Sequence, residues 1–173
     1  MIYLKRYFTI WAPRQTGKST YFRFLAEALQ QEGYKVCHVN FEDFKEESKE
    51  DFLIGLNDAL TDQWGILFEQ TTLASVFRQI ERLKNEKCVL IIDEVEGINR
   101  AFFGSFLHAI RKMYHSRTHH ALKSVILVGV SNIFSVFIFF LKILEFTPQS
   151  ILFVVFNHLF NRSEDHTSEL QSL

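Results

Sequence analysis

Residues 12–19 combine small, polar and cationic side chains in an order suited to holding a polyphosphate. They match the pattern G-x-x-x-x-G-K-[ST], except that Ala12 stands where the pattern has glycine. Backbone N–H groups at a helix N-terminus, aided by the helix dipole, meet the negative charges of such a ligand at close range. Gly17 would let the backbone approach the phosphates, Lys18 would reach their outer oxygens, and the Ser19 hydroxyl would ligate Mg²⁺. The predicted phosphate-binding residues are Ala12, Pro13, Arg14, Gln15, Thr16, Gly17, Lys18, Ser19 and Thr20.

A second group of reactive side chains, Asp93 and Glu94, closes the apolar run from Cys88 to Ile92. If that run is a buried strand, its last two side chains emerge at the edge of a sheet, beside the phosphate loop. Asp93 would then hold Mg²⁺, directly or through water, opposite Ser19. Glu94 would orient or deprotonate the water that attacks the γ-phosphate. An acidic pair after a strand is also common as a solvated turn, so this prediction depends on its combination with the loop.

A third polar position follows the apolar run from Ser124 to Val130, which ends in Ser131 and Asn132. A strand here would lie between the two motif strands and would point its last side chains at the same ligand. We predict that Asn132 takes part in catalysis by hydrogen-bonding the γ-phosphate or the attacking water, with Ser131 as the second candidate. A turn-forming Ser-Asn pair without a chemical role is the alternative.

The elements that must position these residues alternate along the chain. Predicted strands at 7–11, 34–41, 88–92 and 124–130 are separated by predicted helices at 19–31, 50–68, 72–85 and 101–115. Strands that are apolar throughout and alternate with helices indicate a parallel sheet covered on both faces. Right-handed crossovers place the strand C-termini on one edge, where ligands bind. The predicted fold class is therefore α/β, a three-layer sandwich with a mainly parallel sheet, and this context argues against a chance Gly-Lys-Ser in an ordinary turn.

The overall composition fits one globular domain. The chain has 173 residues, of which 47% are hydrophobic and 23% charged. Its net charge of -1 gives no clear signal for attraction to nucleic acid or to an anionic membrane. Cys37 and Cys88 are isolated within apolar runs, which indicates buried thiols in a reducing compartment. The N-terminus does not resemble a secretory signal, so we expect a cytoplasmic protein.

Together these motifs resemble the nucleotide-binding core of AAA-type P-loop ATPases, and the loop at 12–19 is similar to those of a group of prokaryotic AAA-like ATPases. The resemblance is carried by that loop, by Val89 to Glu94 and by the strand ending at Asn132, and it covers roughly residues 3–133. It implies the strand order 5-1-4-3-2, ATP as the nucleotide, Mg²⁺ as the metal, and assembly into a homo-oligomer. We expect ATP hydrolysis by the full-length protein. The alternative is a nucleotide-binding switch or scaffold with little or no turnover.

The composition changes at Phe134, and we expect residues 134–173 to lie outside a native core at 1–133. This segment is rich in phenylalanine without a clean period, and Arg162 to Ser172 closely resembles a translated sequencing-adapter oligonucleotide. On this hypothesis the core is truncated, and the fifth strand, arginine finger and helical lid usual in the family are missing. A membrane helix over Ser124 to Leu141, which has no charged residue, is the competing interpretation.

Overall fold

Five short strands form one sheet in the computed structural model of the chain, which describes residues 7–11, 17–83, 86–116, 118–129 and 152–155. All four strand pairings are parallel, and the strands lie in the spatial order β2-β3-β4-β1-β5. Every residue of β3 is buried, as expected for a strand in the interior of a covered parallel sheet. The strands are β1 Phe8–Trp11, β2 Lys35–Asn40, β3 Cys88–Asp93, β4 Leu122–Gly129 and β5 Leu152–Val155.

The strand order is 5-1-4-3-2 read from the other end of the sheet, as the resemblance implies. One detail is corrected, because a fifth strand is present and Leu152–Val155 pairs in parallel with β1. A Phe- and Val-rich run of four residues has no polar positions from which a period could be read, and this is why the sequence did not predict the strand. The remainder of 134–173 lies outside the described residues, so its assignment as non-native stays a prediction.

Among the described residues four helices connect the strands, and their ends follow local sequence signals. Ser48 begins α2, where its side chain accepts a hydrogen bond from the Asp51 N–H. Thr72 begins α3 in a reciprocal capping box with Ser75. Gly65 ends α2 in a left-handed conformation, earlier than the predicted end at Phe68. The helices are α1 Lys18–Gln31, α2 Lys49–Trp64, α3 Leu73–Arg82 and α4 Arg100–His115, with single 3₁₀ turns at Glu42–Lys45 and Val95–Gly97.

The two faces of the sheet carry separate hydrophobic cores, which gives the predicted three layers. Leu90 and Ile92 of β3 face the larger core, built with α2, α3 and α4. Val89 and Ile91, the alternate residues, face the smaller core, where they pack with Phe22 of α1. This alternation continues to the end of the strand and determines which helix each terminal side chain meets.

The competing membrane interpretation falls partly on described residues. The first of its residues, 124–129, belong to β4, in the interior of the sheet. Residues 130–141 lie outside the described part of the chain. Within the described residues, no helix has the length and apolar character needed to cross a bilayer.

Candidate functional site

Gly17 marks the point where the loop after β1 turns into α1. Its φ of 77° is left-handed, a conformation that glycine adopts without a steric penalty. Among the described residues, no side chain caps the start of α1, and its first turn contains no acidic residue. The first N–H groups of a helix have no partner within the helix, and the dipole there favours negative charge. The start of α1 therefore has the features of an anion-binding helix end.

Lys18 and Ser19 occupy the first turn of α1. Lys18 is only 7% exposed, although lysine is rarely buried in folded proteins. The Ser19 hydroxyl donates a hydrogen bond of 2.8 Å to Oδ2 of Asp93, the last residue of β3. This contact brings the predicted phosphate loop and the predicted metal-binding strand end together, although 74 positions separate the two residues in the chain.

Asp93 is a buried carboxylate, 1% exposed, and both of its oxygens have neighbours. Oδ1 accepts a hydrogen bond of 3.0 Å from the Glu94 N–H, and Oδ2 lies 3.7 Å from Nε2 of His38 on β2. Burial acts to raise the pKa of Asp93. The approach of His38, the Ser19 hydroxyl and the Glu94 N–H outweigh burial, and the pKa is lowered below its ordinary value. The group is therefore ionised at neutral pH and available to a cation.

The pair formed by Ser19 and Asp93 has the chemistry and spacing of a Mg²⁺ site. Both offer hard oxygen ligands, and their 2.8 Å separation is close to the ~2.9 Å between adjacent ligands of an octahedral Mg²⁺ ion. The described residues contain no group of three or more His, Cys, Asp or Glu side chains able to hold a metal. Mg²⁺ at phosphate sites commonly takes only one or two carboxylates, with phosphate and water completing its shell. The residues present fit that ion.

Glu94 follows Asp93 in a strained conformation. Its φ of 50° and ψ of 50° are left-handed, and it is the one non-glycine residue with positive φ in the described ranges. Burial raises the pKa of Glu94, the hydrogen bond and charge of Glu96 raise it further, and Lys18 acts in the opposite direction. A carboxylate with a raised pKa is a stronger base, which suits a group that accepts a proton from water.

A cleft of about 610 Å³ opens beside Glu94, on the side of the two 3₁₀ turns. Four glutamates line it together with Asn99 and Arg100 of the α4 N-terminus, and the four are Glu42, Glu46, Glu94 and Glu96. Gly97 forms its wall where the turn at 95–97 lies against the backbone of Phe41. A β-carbon on Gly97 would overlap the Phe41 carbonyl, so only glycine fits this approach.

The structure describes only part of the predicted site. Gly17, Lys18, Ser19, Asp93 and Glu94 come together at the C-terminal edge of the sheet, and Thr20 is exposed in the first turn of α1. The remaining predicted positions lie outside the described residues: Ala12, Pro13, Arg14, Gln15, Thr16, Asn132 and its alternative Ser131.

Sequence reasoning missed two residues that shape this site. His38 is a single histidine within β2, and no spacing signal in the sequence links it to Asp93. Gly97 lies in a loop whose close approach to Phe41 depends on tertiary structure. For His38, the only available signal was its position two residues before the end of β2. Side chains two positions apart share a face of the sheet, so His38 lies on the same face as Asn40, which is paired with Asp93 of β3.

Comparison with known proteins identifies the family and the fold of this chain. A family model described as an AAA domain matches residues 3–137. No curated protein matches the chain.

Among solved structures, the chain is similar to Cdc6p from Pyrobaculum aerophilum, with a TM-score of 0.58 and 12% identity over 85% of this chain and 38% of that one. It is also similar to Drosophila ORC bound to DNA, with a TM-score of 0.57 and 16% identity over 86% of this chain and 37% of that one. A third similar structure is Drosophila ORC bound to AT-rich DNA and Cdc6, with a TM-score of 0.56, 10% identity, and coverage of 86% and 48%.

At these identities the structural likeness shows the fold alone, and the chain spans less than half of the length of each of the three matched chains. The family match covers most of the chain and includes both motifs. The parallel sheet with flanking helices is the α/β fold that the similar solved structures share. This chain belongs to the AAA domain family and has the core of an AAA-type P-loop ATPase.

Proposed function

We propose that this chain binds ATP together with Mg²⁺, and that the protein in its full-length form hydrolyses the nucleotide. The observation that carries the proposal is the 2.8 Å contact between Ser19 Oγ and Asp93 Oδ2, directly beside the uncapped start of α1. It joins an anion-binding helix end to an ionised carboxylate, which is the pairing that a metal–polyphosphate ligand requires.

Each described residue then has a defined task. The first N–H groups of α1 and the Lys18 ammonium bind the β- and γ-phosphates, assisted by the loop at 12–16. Ser19 and Asp93 would hold Mg²⁺, which when bound neutralises charge on the phosphate oxygens. The start of α1 also fixes the direction from which the polyphosphate enters.

Glu94 is proposed as the group that orients and deprotonates the attacking water. Its raised pKa, due first to burial and then to Glu96, makes its carboxylate a better proton acceptor. Asn132, with Ser131 as the second candidate, remains our proposal for the polar contact to the γ-phosphate. Both follow β4, which lies between β1 and β3 in the sheet.

A nucleotide-binding switch with little turnover is the second candidate. It needs the same phosphate- and metal-binding residues as the ATPase and differs in that Glu94 does not activate water. In this case ATP would bind and change the conformation of the domain while hydrolysis stayed slow.

The experiment compares Lys18→Ala and Glu94→Gln in the full chain, using a fluorescent ATP analogue and phosphate release. Lys18→Ala is expected to lose binding under either candidate function. Glu94→Gln is expected to keep binding and to lose turnover if the protein is an ATPase. Lys112→Ala, an exposed lysine on α4, serves as the control for a lost positive charge. Unchanged MgATP binding by Lys18→Ala would refute the proposal, and binding without turnover in the parent would favour the switch.

We further propose that copies of the protein assemble, as expected from its family, and that it works in the cytoplasm. Cys37 and Cys88 are free and buried, which suits a reducing compartment. Burial raises the pKa of each thiol to about 12, so neither is a reactive thiolate.

Sedimentation of Glu94→Gln with and without ATP tests assembly, and a single unchanged monomeric species in both conditions would contradict it.

A further inference from the structure

His38 lies on the edge strand β2, opposite Ile91 of β3. Side chains two positions apart along a strand share a face of the sheet, so Ile91 and Asp93 both point toward α1. The His38 ring lies on that face too, and its Nε2 is 3.7 Å from Asp93 Oδ2. This distance is within range for an ion pair but longer than a hydrogen bond. The Nε2 atom is buried and has no hydrogen-bond partner within the described part of the chain.

Neighbours on two further elements hold His38 in place. Its ring meets the fully buried ring of Phe22 on α1 edge-on, with centroids 6.4 Å apart. Its backbone N–H donates to Gln63 Oε1 at 2.8 Å, and its carbonyl accepts from Gln63 Nε2 at 3.1 Å. In the sheet formed by the described residues β2 is the edge strand, so these outward-facing groups have no strand partner there, and the Gln63 amide of α2 replaces one. The imidazole is therefore directed at Asp93 by β2, α1 and α2 together.

In the metal-bound state the Ser19 hydroxyl would have two tasks, because its oxygen would ligate Mg²⁺ while its hydrogen is donated to Asp93 Oδ2. The Glu94 N–H continues to hold Oδ1. The imidazole of His38 approaches Oδ2 from β2, independently of Ser19. Partners of this kind orient metal-binding carboxylates, and their loss commonly weakens metal affinity.

We infer that His38 is a positioning residue for Asp93, and that it sets the affinity of the site for Mg²⁺ without contacting the nucleotide. The inference rests on the proposed MgATP function and adds a residue to it. It predicts different effects on two measured quantities, the response to Mg²⁺ and the binding of nucleotide without metal. Removing the polar imidazole beside Asp93 weakens the response to Mg²⁺, while binding of the nucleotide without metal stays the same.

The test uses two variants of the full chain that separate the packing of the ring from its polar approach to Asp93. His38→Phe keeps an aromatic ring against Phe22 but has no N–H to offer Asp93. His38→Gln offers an N–H but no ring. His108→Gln, an exposed histidine on α4, is the control, and should His38→Phe fail to fold, His38→Leu replaces it.

The measurement is binding of a fluorescent ATP analogue in EDTA and then at rising Mg²⁺, after circular dichroism has shown that each variant is folded. All variants are expected to bind equally in EDTA. The Mg²⁺ concentration giving half of the metal-dependent change is expected to rise about 10-fold or more for His38→Phe. His38→Gln should lie nearer to the parent, and His108→Gln should equal it.

Two results would overturn the inference while leaving the proposed function intact. One is a parent-like Mg²⁺ midpoint for His38→Phe, and the other is an equal loss of binding in EDTA for both His38 variants, which would indicate a packing role. Ser19→Ala and Asp93→Asn report on the proposed function itself. If neither changes the Mg²⁺ response of the parent, or if the parent has none, the metal site and the role of His38 are both wrong.

Discussion

The α-carbon of Gly97 faces the carbonyl oxygen of Phe41 so closely that no side chain fits between them. This approach joins the turn after β3 to the turn after β2. It fixes the path of the chain immediately after Asp93 and Glu94.

We expect Gly97→Ala to lower the free energy of unfolding by about 1–3 kcal/mol, because the new methyl group must displace the Phe41 backbone. Urea denaturation measures this change. Gly104→Ala is the matched control, since nothing lies within 4 Å of its added β-carbon and alanine favours the α4 helix in which it lies. Equal effects of the two substitutions would show that the approach to Phe41 is not restrictive.

The stability of the protein should depend on the ionisation of Asp93 in acid. Its pKa is lowered in the folded protein: burial opposes this, and His38, Ser19 and the Glu94 N–H outweigh burial. A carboxyl of this kind stabilises the fold fully above its unfolded pKa, and that stabilisation is lost as pH falls through the folded pKa.

Asp93→Asn should therefore be less stable than the parent at pH 7, with the difference shrinking as pH falls below the ordinary value of 3.8. Urea denaturation across this range measures the difference, and Asp62→Asn, an exposed position on α2, is the control. A difference that is independent of pH would contradict the assignment.

The rate of ATP hydrolysis by the proposed ATPase should depend on pH through the ionisation of Glu94. Burial and then Glu96 raise the pKa of Glu94 above its ordinary 4.5, and a general base acts only when deprotonated. Activity should therefore rise with pH through a midpoint above that value. Glu96→Gln removes the neighbouring charge and should move this midpoint to lower pH, whereas Glu50→Gln, an exposed residue in the first turn of α2, should leave it in place.

Gln63 should protect the edge of the sheet at His38. Replacing it with alanine removes both hydrogen bonds to the His38 backbone, at a cost of about 0.5–1.5 kcal/mol each. Amide hydrogen exchange should be faster at His38 in Gln63→Ala than in the parent, and Gln30→Ala on an exposed part of α1 should not change it. Unchanged protection of the His38 amide would mean that the edge is held by other contacts.

The sequence predicted those elements of the molecule that are determined by local residue patterns. The apolar run ending at Asp93 is a strand because uninterrupted hydrophobic residues suit the interior of a covered sheet. The start of α1 at Lys18 follows from the loop pattern that precedes it. These two signals were enough to place Ser19 and Asp93 at the same edge.

What could not be predicted depends on contacts between distant elements. His38 is near Asp93 only because β2 and β3 pair in one particular register, and a shift of one residue would turn its ring to the other face. The strand at 152–155 joins β1 across more than 140 positions of sequence, through pairing that no local pattern encodes. In the sequence Gly97 has the appearance of an ordinary turn residue. Only the close approach of the Phe41 carbonyl in the folded protein shows that no larger residue fits there.

The left-handed backbone at Glu94 implies a conflict between folding and activity at a single position. A non-glycine residue in this conformation costs on the order of 1 kcal/mol or more, and glycine would relieve that strain. Glu94→Gly would be expected to raise the free energy of unfolding of the domain and to remove its proposed base. Selection for thermal resistance alone would therefore tend to remove the carboxylate, so its presence at a strained position is itself an argument that the position is used.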